Sequence, residues 1–338
     1  MTELQYIEVK SKLTINKKVV ITTHRSPDGD AIGSSLGLYH VLKSKGLDVS
    51  VVVPNAYPDF LKWMPSEDVV VDFEKNRAAA ESLIYAAELL FCLDYNAIHR
   101  TGDVKGSIEA FKGVSIMIDH HPQPDDYATY LLSDTSASST AQLVYEFVSS
   151  LGWEDSIDDV VGQCLYAGIV TDTGSFRFPS TSARTHRVVA LLMDKGLQPH
   201  LIHQAIYNSN TENRLKLLGY CLSQKMTVLP EFKTAFIVLS DEELKLYKYQ
   251  SGDTEGVVNY ALSITGIRFA AIIKENEENI RMSFRSIGEF SVNQFARENF
   301  NGGGHTNAAG GMSEATLEDT VAKFQALLPK YKAELNAK

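Results

Sequence analysis

Residues 19–42 read VVITTHRSPDGDAIGSSLGLYHVL, and this stretch decides how the first half of the chain is organised. Val19 to Thr23 is a short run rich in β-branched residues, as in a strand buried on both faces. Ile32, Leu36, Tyr39 and Leu42 then recur at helical spacing, and Gly46 supplies a stop. A strand leading straight into a helix is half of a βα unit and points to a parallel sheet. The pattern repeats. Residues 49–53 form a strand ended by Pro54, 77–87 a helix, 89–93 a strand and 114–118 another. Residues 141–149, 158–171 and 184–195 read as helices, and the second is apolar nearly all round, as a buried helix is.

The texture changes after Gly196. Residues 201–207 and 212–222 read as two helices separated by the polar Asn208-Ser209-Asn210-Thr211, a hinge between domains. Strand-like runs at 234–239, 269–273 and 280–284 then alternate with helices near 255–264 and 292–299. The expected fold is therefore α/β: an N-terminal domain with a mainly parallel, doubly wound sheet (residues 1–195), a helical linker (196–222), and a smaller C-terminal α/β domain (223–338).

Composition narrows the function. The 338 residues carry a net charge of −10, and 44% of them are hydrophobic, which is ordinary globular composition. Residues 223–338 hold 13 Lys and Arg against 15 Asp and Glu, so most of the excess acid lies in residues 1–222. Such a balance argues against a protein that coats long nucleic acid, which needs a broad cationic surface. Small phosphorylated substrates held by a few local cations remain compatible. No signal-peptide layout and no apolar run of roughly 18 residues is present, so neither export nor a membrane span is expected. Cys92, Cys164 and Cys221 form no CxxC pair and fit reduced core thiols, which places the expected location in the cytoplasm.

The position of the acids carries the chemistry. The first strand leads into His24-Arg25-Ser26-Pro27-Asp28-Gly29-Asp30, the third into Asp94, and the fourth into Asp119-His120-His121. In an open parallel sheet the carboxyl ends of the strands form one rim, where ligands bind. Each residue also has a plain reading: Asp28 or Asp30 as a helix cap, Asp94 or Asp172 as turn chemistry, the histidine pair as surface. Together those readings strain, because Asp28, Asp30, Asp94 and Asp119 on one rim repel one another without a counter-cation. Carboxylates mixed with imidazoles, without thiolate, favour Mn²⁺ over Mg²⁺, Co²⁺ or Zn²⁺. The reading is a two-metal hydrolase, in which a pair of divalent ions activates water.

At these residues the chain resembles the DHH phosphoesterase family. His24-x-x-x-Asp28-x-Asp30 resembles its first motif, Asp94 its second, Asp119-His120-His121 its third and Asp172 its fourth. Arg285-Ser286 and Gly302-Gly303-Gly304-His305 resemble the DHH-associated C-terminal domain. The resemblance implies one metal site from His24, Asp28 and Asp94, and a second from Asp30, Asp94, His120 and Asp172, with Asp94 bridging. It implies that Asp119 orients an imidazole and that His121 faces the substrate phosphate or the leaving oxygen.

For the second domain, the expectation is that Gly302, Gly303 and Gly304 offer backbone N–H groups to an anion, with His305 beside them. Arg281 and Arg285 lie four residues apart in a strand and so share a face, and the resemblance implies that Arg285 clamps phosphate. Arg268 is a weaker candidate. Within the family, the compact nano-RNase and pAp phosphatase type is the nearest resemblance. It implies hydrolysis of RNA of about two to five nucleotides, a footprint that suits the limited local cation set, removal of the 3′-phosphate of 3′-phosphoadenosine-5′-phosphate (pAp), and compatibility with a homodimer. The rivals are a soluble phosphodiesterase for cyclic di-AMP or pApA and a nucleotide-binding regulator without turnover.

Overall fold

The computed structural model describes residues 1–276 and 279–337. Two compact units divide at the polar stretch, Met1–Ser209 and Asn210–Lys338. Among the described residues no helix is long and apolar enough to cross a membrane.

The first unit runs α1 (Glu3–Lys12), β1 (Lys18–Thr22), α2 (Gly29–Ser44), β2 (Asp48–Val53), β3 (Val70–Asp72), α3 (Arg77–Ala86) and β4 (Leu89–Leu93). It continues with α4 (Lys105–Ala110), β5 (Val114–Asp119), β6 (Tyr130–Ser133), α5 (Thr140–Ser150), α6 (Asp159–Asp172), α7 (Ala183–Asp194) and α8 (Pro199–Tyr207). The six strands pair in the order β3-β2-β1-β4-β5-β6, all parallel. The order reverses between β1 and β4, so the crevice at their carboxyl ends is the switch point of a doubly wound sheet.

Alternation along the strands builds two cores. Val19, Ile21, Leu89, Phe91 and Leu93 face one side, packing with Ile32 and Leu36 of α2, Val144 of α5 and Leu165 of α6. Val20, Leu90 and Cys92 face the other, against Ala80 and Ile84 of α3 and Ile108 of α4. Helix α6 is buried along most of its length, as its all-round apolar sequence requires. Its Gly168 lets it approach α2 closely: a Cβ there would stand 2.8 Å from Asp30 Oδ1 and 2.6 Å from Ala141 Cβ.

The second unit runs α9 (Glu212–Tyr220), β7 (Met226–Leu229), β8 (Thr234–Leu239), α10 (Asp241–Leu246), α11 (Val257–Leu262) and β9 (Phe269–Glu275). It ends with β10 (Ile280–Ser286), α12 (Val292–Asn299), β11 (Gly303–His305), β12 (Ala308–Ser313) and α13 (Leu317–Asn336). Its mixed sheet has the order β11-β12-β10-β9-β8-β7, with β8 and β9 parallel and the other pairs antiparallel. Phe269, Phe284, Phe295 and Phe324 fill its main core.

Two of the helices read from the sequence are clearly shorter in the structure. The helix read over 212–222 stops at Tyr220, and a π-turn over Cys221–Lys225 leads into β7. The helix read over 255–264 is trimmed to Val257–Leu262, because Gly256 before it is left-handed at φ 78°. Helix α8 closes the first unit and α9 opens the second, so the two helices read as a linker fall on either side of the division.

Candidate metal centre

Four chain segments meet at the crevice beyond β1, β4 and β5. His24, Asp28 and Asp30 follow β1, Asp94 follows β4, Asp119 ends β5 with His120 and His121 after it, and Asp172 ends α6. His24, Asp28 and Asp94 each offer a ligand atom within 4.8 Å of the others, and so do Asp30, His120 and Asp172.

The ring tautomers are set by neighbouring carbonyls. His24 Nδ1–H donates to the Arg25 carbonyl at 2.9 Å, and its Nε2 faces Asp94 Oδ2 at 3.3 Å and Asp28 Oδ1 at 3.9 Å. His120 Nδ1–H donates to the Ala137 carbonyl at 3.4 Å. Its Nε2 faces Asp172 Oδ2 at 3.3 Å, Asp94 Oδ1 at 3.7 Å and Asp30 Oδ2 at 3.8 Å. Each Nε2 faces carboxylate oxygens at a distance that repels unless a proton or a cation lies between. Asp94 turns one oxygen to each imidazole, the disposition of a carboxylate that bridges two ions.

The electrostatics record the same conflict. Burial opposes a charged His24, yet the Asp94 hydrogen bond and the charges of Asp28 and Asp94 raise its pKa above 6.5. Burial opposes a charged His120 too, and the charges of Asp172, Asp94 and Asp119 outweigh it and raise its pKa. Asp30 is raised well above its ordinary value, first by burial and then by the charges of Asp94, Asp172 and Asp28. Burial would raise Asp94 as well, but the His24 hydrogen bond and the charges of His24 and His120 pull it down to about 2. Carboxylates packed with imidazoles that can give up their protons are the donor set that divalent ions take.

Asp119 has another part. Fully buried, it accepts from the His121 backbone N–H at 3.0 Å and from His121 Nδ1–H at 2.7 Å. Burial and the Asp94 charge push its pKa to about 6. Because Asp119 holds Nδ1, proton chemistry at this ring falls to Nε2. Asp28 combines both of its sequence readings: Oδ1 caps α2 by accepting from the N–H groups of Asp30 and Ala31, and the same carboxylate faces His24.

Sequence reasoning missed Thr140. Its N–H donates to Asp30 Oδ2 at 2.6 Å and its hydroxyl to Asp94 Oδ1 at 2.9 Å, while the Ala141 N–H donates to Asp30 Oδ1 at 2.9 Å. The N-terminus of α5 therefore steadies carboxylates of both candidate sites. Ser139-x-x-Gln142 in the sequence signals a helix start, but nothing local shows that this start abuts Asp30.

The second unit is organised differently from expectation. Arg281 and Arg285 share a face of β10, as expected. Ser286 lies on the opposite face, where its buried hydroxyl donates to the Phe290 carbonyl at 2.6 Å. The glycine run is not an open cradle. The Gly302 N–H bonds the Ala296 carbonyl at 3.2 Å, and the Gly304 N–H bonds Asn293 Oδ1 at 3.1 Å. Glycine is required at 302 by packing, since a Cβ there would lie 2.0 Å from the Gly310 carbonyl oxygen. Gly303 and His305 form the β11 edge against β12. Arg268 donates to the Ala337 carbonyl and is engaged there.

Comparison with known proteins matches residues 18–169 to the DHH family N-terminal domain and residues 244–335 to the DHHA1 domain. The bifunctional oligoribonuclease and PAP phosphatase NrnA of Thermus thermophilus is 31% identical over 319 residues, spanning 94% of this chain and 90% of that protein. The chain belongs to the DHH family. It is a phosphoesterase, a metal-dependent hydrolase of that family. The cyclic-di-AMP phosphodiesterase GdpP of Bacillus subtilis is 25% identical; the match spans 96% of this chain but 49% of that protein. Among solved structures, an exopolyphosphatase-related protein from Bacteroides fragilis superposes with a TM-score of 0.93 at 40% identity, covering 99% of this chain and 98% of that one.

Proposed function

We propose that this DHH phosphoesterase hydrolyses short oligoribonucleotides, about two to five nucleotides long, in keeping with a limited local cation set, to mononucleotides. We assign to the same site removal of the 3′-phosphate of pAp. The observation that carries the reading is the division of Asp94 between two imidazoles, Oδ2 towards His24 and Oδ1 towards His120. Near-full-length likeness to an oligoribonuclease and PAP phosphatase supports the substrate class.

His24, Asp28 and Asp94 would hold one ion, and Asp30, Asp94, His120 and Asp172 the other, Mn²⁺ being the ion best suited to this oxygen and imidazole set. Two such ions supply an activated water and neutralise charge developing on the phosphoryl oxygens. The chain does the remainder. Asp119 fixes the His121 ring through Nδ1, and His121 Nε2 delivers a proton to the departing ribose oxygen. Thr140 and the first turn of α5 keep Asp30 and Asp94 in place. In the second unit, Arg281 and Arg285 share one strand face and, with His305, are groups suited to binding phosphate.

A second reading, hydrolysis of cyclic di-AMP or pApA, draws on the likeness to GdpP. Metal-stripped protein supplied with Mn²⁺ and given pAp, pApA, a five-nucleotide RNA and cyclic di-AMP in parallel separates the two. Faster initial rates on RNA and pAp support the first reading, and consumption of the cyclic compound alone supports the second. No release of mononucleotide from any of them would leave a binding regulator.

A further inference from the structure

The metal motifs of the first unit are flanked by basic residues whose surroundings differ. Arg25, next to His24, is half-exposed and paired through Nη2 with Glu74 Oε1 at 2.9 Å. Arg177, beyond Asp172, is exposed and donates through Nε to the Gly174 carbonyl at 2.6 Å. Arg100 is half-buried, and among the described residues its guanidinium pairs with no carboxylate.

Arg100 is also held in place by both motifs. Its carbonyl accepts from the Arg25 N–H at 2.7 Å, which ties the residue 100 backbone to the loop of His24. Its Nη1 reaches Asn96 Oδ1 at 3.4 Å. Asn96 is buried two residues beyond Asp94, and its amide donates to the Pro122 carbonyl at 2.7 Å and the Gln123 carbonyl at 3.3 Å, just after His121. One asparagine thus joins the loops after β4 and β5 and steers the guanidinium. The Arg100 charge acts on His24, Asp94 and Asp119.

We infer that Arg100 binds the phosphoryl group under attack, gripping its non-bridging oxygens while Asn96 orients the fork. The inference rests on the phosphoester-cutting reading above and adds to it a substrate contact in the first unit. A planar guanidinium suits this task because charge grows on those oxygens as the ester bond breaks, so the contact strengthens towards the transition state.

The test compares wild type with Arg100→Gln, Arg100→Lys and Arg25→Gln, each saturated with Mn²⁺, using pApA. Arg100→Gln is expected to lower kcat by about 100-fold with little change in KM, the signature of a contact made in the transition state. It should also weaken inhibition by inorganic phosphate. Arg100→Lys should recover part of the loss, because it keeps the charge without the fork. Arg25→Gln removes the same charge nearby and should behave as wild type. Calorimetry should find Mn²⁺ binding by Arg100→Gln unchanged. A wild-type kcat in Arg100→Gln overturns the inference, as does a rise in KM with kcat preserved or a loss of Mn²⁺ binding along with turnover. Wild-type protein inert towards pApA, pAp and RNA alike would fell the underlying reading instead.

Discussion

The crevice of the first unit and the glycine run of the second both look like ligand sites in the sequence, yet they are built in opposite ways. In the crevice, His24 and His120 donate Nδ1–H to carbonyls and turn Nε2 towards carboxylates, so a proton or a cation is needed between them. In the glycine run, the N–H groups of Gly302 and Gly304 are already hydrogen-bonded within the unit, and Gly302 is dictated by contact with the Gly310 carbonyl. A ligand is demanded where polar groups oppose one another. A glycine run demands only close approach.

The largest expected effect that could break this contrast is at Asp94. Asp94→Asn keeps the shape and removes the bridging charge, so both ions should be lost and Mn²⁺ affinity should fall by more than the ~100-fold typical of an indirect partner. Calorimetric titration of metal-stripped protein reads this, and retention of one tight site would show that Asp94 serves a single ion. Next comes Thr140→Val, which keeps the backbone N–H to Asp30 but deletes the hydroxyl to Asp94. Loss of such a supporting partner costs about 10- to 100-fold in metal affinity, and Thr140→Ser should restore it. An unaffected valine variant would mean that Asp94 needs no support from α5.

In the second unit the expected loss is in stability. Gly302→Ala should destabilise the β11–β12 hairpin by about 1–3 kcal/mol, the usual cost of overpacking, measured by chemical denaturation with metal binding intact. A neutral change there would return the glycines to a role in ligand approach.

A further effect is in pH dependence. The pKa values of His24, His120 and Asp30 are raised in the metal-free fold, so their protonated forms add stability that is lost as pH rises through those values. Bound metal displaces the same protons. Stabilisation by Mn²⁺ should therefore grow from pH 6 to pH 8, with apparent affinity rising by up to about tenfold per unit for each proton displaced. Thermal melts with and without Mn²⁺ across that range check the sign, and a gap that narrows with pH would contradict it.

Much of this was legible in the sequence because the signals are local. Strand β4 was read over residues 89–93, the range it occupies, and β5 is longer by the single residue Asp119. Parallel strands buried on both faces leave continuous apolar runs, and the ligands follow their ends. Short edge strands leave no such trace: β3 and β6 have three and four residues, with few of them fully buried. Helix α13 was passed over with Pro329 in its interior, which normally marks a break, yet the helix continues through it. Thr140 and Asn96 were invisible for another reason. Their roles depend on partners brought near by the fold, Asp30 being 110 residues from Thr140. Ser286 shows the converse, since period-two alternation already puts it on the face opposite Arg285.

Anomalous diffraction at the manganese edge, from crystals of the Mn²⁺-loaded protein, bears most directly on the central claim. Two peaks are predicted, one beside His24 and Asp28 and the other beside Asp30, His120 and Asp172, with Asp94 giving an oxygen to each. A single peak, or two peaks that do not share Asp94, would contradict it.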